Sequence, residues 1–312
     1  MGASSSENNI ICIHEIGQDD INKDIQIINY LYEENLDPQD CNKEEITKKS
    51  EIYIDNKLIK NFTPVYKFEK KGKYKVKIRF TEAIVNGKSM FLNCKTIKII
   101  DGNNFNALNL KFTDKMFSEC YKLEEIEIDK WKVSNVESMS SMFEKCTSLK
   151  EFSAPKWDTK NVKTTESMFE KCSSIKEIDI SNWNMENVTS IESMFYYCKL
   201  LEKLNVSKWN TSNIQSTSYL FKYCNKLKNL DLSNWKTQKL ENYYQMFYKI
   251  NKNCKITFNQ DSRLKKEFEE SYEEKEEYGE GDEGRETEIK VKYNVLKNFL
   301  DDYNKNEYNN NA

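Results

Sequence analysis

Proline, glycine and histidine are scarce in this sequence, with three prolines, eight glycines and one histidine in 312 residues. So few glycines leave no phosphate-cradling loop and no G-x-S-x-G elbow, and a single histidine leaves no HExxH pair. That histidine, His14, sits in a β-branched run without a partner of its kind and reads as structural. No C-x-x-C pair occurs, which removes the usual zinc-ligand spacing. Apolar runs are short, and none approaches the ~20 residues of a membrane-spanning helix. The first residues carry neither a basic n-region nor a long apolar h-region, so no secretory signal is expected. These absences argue against an enzyme, a cofactor and a metal. The expected setting is cytoplasmic, with reduced cysteines.

What the chain has is charge and repetition. Charged residues make up 32% of it, and the formal net charge of -3 conceals an asymmetry. Between Glu267 and Glu288 there are 12 acids against Lys275 and Arg285. That leaves a mildly basic body and an acidic segment, which reads as solvated and disordered.

The repetition is the phrase Met-Phe-x-x-Cys, recurring every 26 residues without an insertion. It runs from Met90-Phe91-x-x-Cys94 through Cys120, Cys146, Cys172 and Cys198 to Leu220-Phe221-x-x-Cys224. A seventh copy starts at Met246-Phe247 but has Ile250 where the cysteine belongs. A fixed period of this length is the mark of a stacked solenoid. After each cysteine comes an L-x-x-L-x-L pattern, as in Ile175, Ile178 and Ile180, which reads as one short strand. A tryptophan follows in five copies, at Trp131, Trp157, Trp183, Trp209 and Trp235. Val136, Met139, Phe143 and Cys146 then fall at i, i+3, i+7 and i+10, the spacing of a helix face. The expected fold is therefore an α/β solenoid, with one short parallel strand and one helix per 26-residue turn. Asn135, Asn161, Asn187 and Asn213 precede the helix position and suit a turn or cap. The cysteine column reads as small buried hydrophobes and the tryptophan column as packing, since neither has the partners that a site needs.

The phrase Ile178-Asp179-Ile180-Ser181-Asn182-Trp183, followed by Asn187-Val188 and Met194-Phe195-x-x-Cys198, resembles the leucine-rich repeats of the BspA-like family. The β-rich segment ahead of the repeats is similar to the leader of protist-type members. The resemblance implies an interaction protein, and its surface-exposed members imply an alternative, an adhesin, which would need a signal peptide and oxidised cysteines.

The expected organisation is a disordered leader at 1–9, a β-rich cap at 10–84, the repeats at 85–258, an acidic disordered segment at 259–288 and a tail with a short helix at 289–312. The cap's task would be to cover the open apolar end of the solenoid. The leader Met1-Gly2-Ala3-Ser4-Ser5-Ser6 fits the pattern for N-myristoylation of Gly2, which alone would give marginal, peripheral binding to the inner membrane face.

Function is then sought on the surface. The residues between the apolar strand positions should line a concave face, where Glu125, Glu127, Glu151, Glu177, Asp179 and Asp231 form an acidic column. Such a face favours a basic protein or peptide and opposes nucleic-acid phosphates. A rival contact patch is the tyrosines expected on the convex helices of the later turns, Tyr196, Tyr197, Tyr219 and Tyr223, with Tyr244 and Tyr248 beside them.

Overall fold

A computed structural model of the chain describes residues 7–30, 42–259 and 263–273. The chain divides into two compact units, Met1–Ser271 and Tyr272–Ala312. The fold below is that of the first.

The N-terminal part is a β-rich cap. It contains β1 (Asn9–Ile16), β2 (Asp24–Gln26), α1 (Lys43–Lys49), β3 (Ser50–Ile54), β4 (Lys57–Leu58), β5 (Val65–Lys67) and β6 (Gly72–Phe80). Strand β1 alternates as a half-buried strand should, with Ile10, Cys12, His14 and Ile16 all turned inward. It pairs antiparallel with β6 on one side and with β7 (Ile97–Asp101), the first solenoid strand, on the other. Strand β8 (Glu125–Glu127) then adds in parallel, so one sheet in the order β4-β3-β6-β1-β7-β8 runs from cap into solenoid.

The cap does more than cover apolar surface. Along the stretch 87–93 the amides of Gly87, Ser89, Phe91 and Asn93 donate to the next turn, so the carbonyls between them have no earlier turn to accept from. The cap supplies their donors. Asn29 reaches Met90 O from its amide nitrogen at 2.6 Å and Leu92 O from its side chain at 3.1 Å. Asn42 Nδ2 donates to Asn86 O at 3.0 Å and Lys88 O at 2.7 Å. The Glu45 carboxylate on α1 accepts the amides of Val85 and Asn86. Unpaired backbone groups at a ladder edge are costly when buried and sticky when exposed, and these contacts deal with both.

The repeats build a β-solenoid of about six turns. The strands β7, β8, β9 (Glu151–Ser153), β10 (Glu177–Asp179), β11 (Lys203–Leu204), β12 (Asn229–Leu232) and β13 (Lys255–Phe258) line one side. A second parallel ladder links single residues, Asn86, Phe112, Ser138, Thr164, Ser190, Ser216 and Asn242, one turn to the next. Between the ladders the core is continuous, and every phenylalanine of the repeat phrase from Phe91 to Phe221 is fully buried. Neighbouring rings stack nearly parallel at centroid distances of 5.4 to 6.1 Å, as for Phe143–Phe169 and Phe169–Phe195.

The helix expected in every turn is absent, and the reason lies in the backbone. Ser141 and Lys145 have φ of 54° and 59°, and the same two positions are left-handed in every turn, as at Ser167, Lys171, Ser193 and Tyr197. No α-helix accommodates a left-handed residue every fourth position. Instead the amides alternate. Ser141, Phe143 and Lys145 donate sideways to Glu166, Met168 and Glu170 of the next turn at 2.7–2.8 Å, whereas Met142, Glu144 and Cys146 donate back three residues. Three linked tight turns return a side chain inward every three or four residues, so their apolar spacing imitates a helix. Inter-turn bonds replace the i→i−4 ladder.

At the C-terminal end, α2 (Arg263–Glu273) lies inside the span 259–288 that reads as disordered from its composition. Its first part is apolar enough to pack: Leu264 is fully buried, and Phe268 sits 5.5 Å from both Phe247 and Phe258. Gly2 and the short helix expected in 289–312 lie outside the described residues. Among the described residues no helix is long and apolar enough to cross a membrane.

Candidate functional site

The recurring residues are committed to holding turns together. Each column cysteine from Cys120 to Cys224 is fully buried, and its Sγ lies 3.1–3.2 Å from the phenylalanine carbonyl of the preceding turn. That carbonyl already accepts its own turn's cysteine amide, so the thiol fills the second lone pair. Burial pushes the Cys120 thiol up to about 12 and raises those of Cys146, Cys172 and Cys198 well above the usual thiol range. The thiols thus stay protonated, the state in which they donate. The tryptophans do the same one corner later. Trp131, Trp157, Trp183, Trp209 and Trp235 each point Nε1 at a carbonyl of the turn before, at 2.8–3.4 Å. Asn135, Asn161, Asn187 and Asn213 donate from Nδ2 to preceding-turn carbonyls at 2.6–2.8 Å. These side chains are inter-turn rivets, a use that the spacing alone does not show. His14 Nδ1 lies 2.9 Å from Thr96 Oγ1, and burial lowers its pKa to about 3.

The surface columns are less uniform than their sequence spacing. On the strand face, Glu151 and Glu177 stand side by side in parallel register, and Lys203 follows Glu177 with an ion pair at 2.8 Å. Glu125 and Glu127 belong to the cap-linked sheet, where Glu127 pairs in register with Asp101 and accepts Asn103 Nδ2 at 2.7 Å. Asp231 lies in a third sheet, that of β12 and β13, and its carboxyl is held below the usual range by the Ser233 side chain and amide. Asp179 is engaged locally by Ser181 at 2.8 Å. The turns stay linked along this face, since the amides of Lys150, Lys176, Glu202 and Lys228 each donate to the preceding turn, but the acids differ in their local partners. Glu125 and Glu151 form no ion pair among the described residues.

A charge column that the sequence reading passed over runs one position earlier in each turn. Lys98 bridges Glu15 at 2.9 Å and Glu124 at 3.1 Å, and Lys150 takes the other oxygen of Glu124. Farther along, Lys228 pairs with Glu202. Opposite charges one 26-residue period apart, as at Lys98, Glu124 and Lys150 and again at Glu202 and Lys228, were the available signal. On another corner, an open groove of about 500 Å³ is lined by Asn109, Asn135 and Asn161 with Lys111, Glu137 and Lys163. Several of its polar groups are taken, since Asn135 and Asn161 donate to backbone and Lys163 pairs with Glu137 at 2.6 Å.

Tyr196, Tyr197, Tyr219 and Tyr223 do gather, though on the linked turns rather than on helices. Tyr197 and Tyr223 rings lie 5.2 Å apart, and Tyr219 meets Tyr244 at 5.6 Å. The class these features define is a β-solenoid repeat protein with polar and aromatic outer columns. Residues 85–178 and 171–277 match the family described as "Mycoplasma protein of unknown function, DUF285". The matched spans cover more than half of the chain, and it belongs to that family. No curated protein matches it.

Proposed function

We propose that the chain is a non-enzymatic interaction scaffold whose strand face receives a basic segment of a protein partner. The observation that carries this reading is the in-register pair Glu151 and Glu177, with Glu125 and Glu151 left without an ion pair among the described residues. Like charges side by side in a sheet oppose folding by a few tenths of a kcal/mol to about 1 kcal/mol. A partner cation would relieve that repulsion, whereas phosphates would add to it. The burial of the column thiols and of His14, which keeps the thiols protonated and the imidazole neutral, agrees with the non-enzymatic part. The same thiols suit a reducing, cytoplasmic setting. Membership of the family agrees with the coarse resemblance to BspA-like repeats.

The test uses a fluorescein-labelled lysine-rich dodecapeptide and the triple variant Glu125→Gln/Glu151→Gln/Glu177→Gln. Fluorescence anisotropy should show at least tenfold weaker binding by the variant, about 1.4 kcal/mol, with no loss of stability. Equal affinities would end the proposal. Membrane association through Gly2 is a separate, sequence-borne proposal. Labelling with a myristate analogue should mark the full chain and not Gly2→Ala, and equal labelling would dismiss it.

A further inference from the structure

The two positions between phenylalanine and cysteine change character along the solenoid. In the earlier turns they are Glu144-Lys145 and Glu170-Lys171, then Tyr196-Tyr197, Lys222-Tyr223 and Tyr248-Lys249. The early pattern is self-neutralising, since Lys145 pairs with Glu119 at 2.8 Å and with Glu144 at 3.4 Å. In the later turns the acids give way to tyrosines while lysines remain. Lys222 is only 3% exposed, and its Nζ lies 5.1–5.8 Å from the ring centroids of Tyr196, Tyr219, Tyr223 and Tyr248. It also donates to Gln245 Oε1 at 2.8 Å. Around this centre stand Lys199, 4.1 Å from the Tyr197 ring, Lys249, 5.4 Å from Tyr223, and Lys171, 5.9 Å from Tyr196. Lys171, Lys199 and Lys249 form no ion pair among the described residues.

Tyr197, Tyr219 and Tyr223 have φ of 63°, 60° and 63°, a region disfavoured for any residue with a Cβ and rarely given to a bulky one. Serine, lysine or glutamate occupies these positions in the turns from Lys115 to Ser193. The tyrosines are only half-buried, so the core does not require them there. The left-handed backbone belongs to every turn, and what sets the later turns apart is that tyrosine occupies it.

We propose that this tyrosine–lysine patch is a second docking site, for an acidic polypeptide segment. Charge decides the sign of the partner: Lys171, Lys199 and Lys249, which form no ion pair among the described residues, make a surface that carboxylates complement. Ring geometry decides its class. Single-stranded nucleic acid needs open aromatic faces for its bases, but lysine ammoniums stand within 6 Å of the Tyr196, Tyr197, Tyr219, Tyr223 and Tyr248 rings. An acidic segment needs only the ammoniums, the hydroxyls and the ring edges. This site rests on columns other than the strand-face glutamates, and on the opposite charge, so it stands or falls alone.

The test titrates the full chain with a fluorescein-labelled glutamate-rich dodecapeptide, and in parallel with a labelled uridine dodecamer. Wild type should bind the peptide more tightly than the oligonucleotide, with affinity falling as salt rises. Lys199→Glu/Lys249→Glu, which alters two exposed side chains, should weaken peptide binding at least tenfold without lowering the melting temperature. Tyr197→Asn/Tyr223→Asn should weaken it at least fivefold, and its melting temperature should not drop, since asparagine tolerates the left-handed region better. No peptide binding, unchanged binding by the lysine variant, or tighter binding of the oligonucleotide would overturn the proposal.

Discussion

Substitution of Ser141 by glycine and by alanine separates the linked-turn backbone from a helix by the sign of one difference. Ser141 has φ of 54°, its amide donates to Glu166 O at 2.8 Å, and its own carbonyl accepts the Glu144 amide at 3.0 Å. Those backbone bonds survive both substitutions, so the comparison isolates the Cβ. In a helix, glycine at this position would be about 1 kcal/mol less stable than alanine. In the left-handed region the Cβ costs about 1–2 kcal/mol, which glycine escapes. Against that, glycine loses about 0.4–1 kcal/mol more through the freedom of its unfolded chain. The balance favours Ser141→Gly over Ser141→Ala by about 0.5–1 kcal/mol. Urea unfolding followed by tryptophan fluorescence would measure it, with equal m-values as the condition for comparing the two. A glycine variant less stable than the alanine variant would refute the left-handed turn and restore the helix.

Three other outcomes follow from the same core. Phe169→Ala should cost about 3–5 kcal/mol, because the ring is fully buried, with Phe152, Phe143 and Phe195 at 5.1, 5.4 and 6.1 Å; a loss under ~1.5 kcal/mol would contradict its place in the stack. His14 is held at about 3 when folded, against about 6.5 in an unfolded chain. Between those values only the unfolded state takes up the proton, so the stability present above pH 6.5 is lost as pH falls towards 3. Well below 6.5 the slope approaches about 1.4 kcal/mol per pH unit, and urea midpoints from pH 7 to pH 5 should show it in wild type and not in His14→Gln. The column thiols should resist an aromatic disulfide reagent until the protein unfolds; rapid native labelling of Cys172, located by mass spectrometry, would contradict its sealed state.

The resemblance between a helix face and these linked turns explains where the sequence misleads. Val136, Met139, Phe143 and Cys146 are all buried, as a helix face would be. Spacing records only how often the chain turns inward, and two backbones share that rhythm. The deciding fact is the left-handed φ at Ser141 and Lys145, and neither serine nor lysine announces it. Only Asn93, at the position of Lys145 in the first turn, carries a residue type that favours this region, and one copy in seven is a weak signal. The candidate surfaces were legible to different degrees. The tyrosines could be collected from their columns, but the lysine at their centre could not, because Lys222 gives no sign in sequence that it is almost fully covered. The acidic residues could be collected from their column, but the partners that single them out, Lys203 on Glu177 and Asn103 on Glu127, could not.

By itself the sequence determined the period and most of the residues that face the core. A 26-residue repeat of apolar positions has few ways to bury them except by stacking on its neighbours. Only the tertiary structure decided the backbone between those positions, because its hydrogen-bond partners lie about 25 residues away and the choice between local and inter-turn bonding is made when the turns meet. The same holds for the work of cysteine, tryptophan and asparagine. Each donates to a carbonyl 27 or 29 residues back, a partner that exists only once the preceding turn is in place.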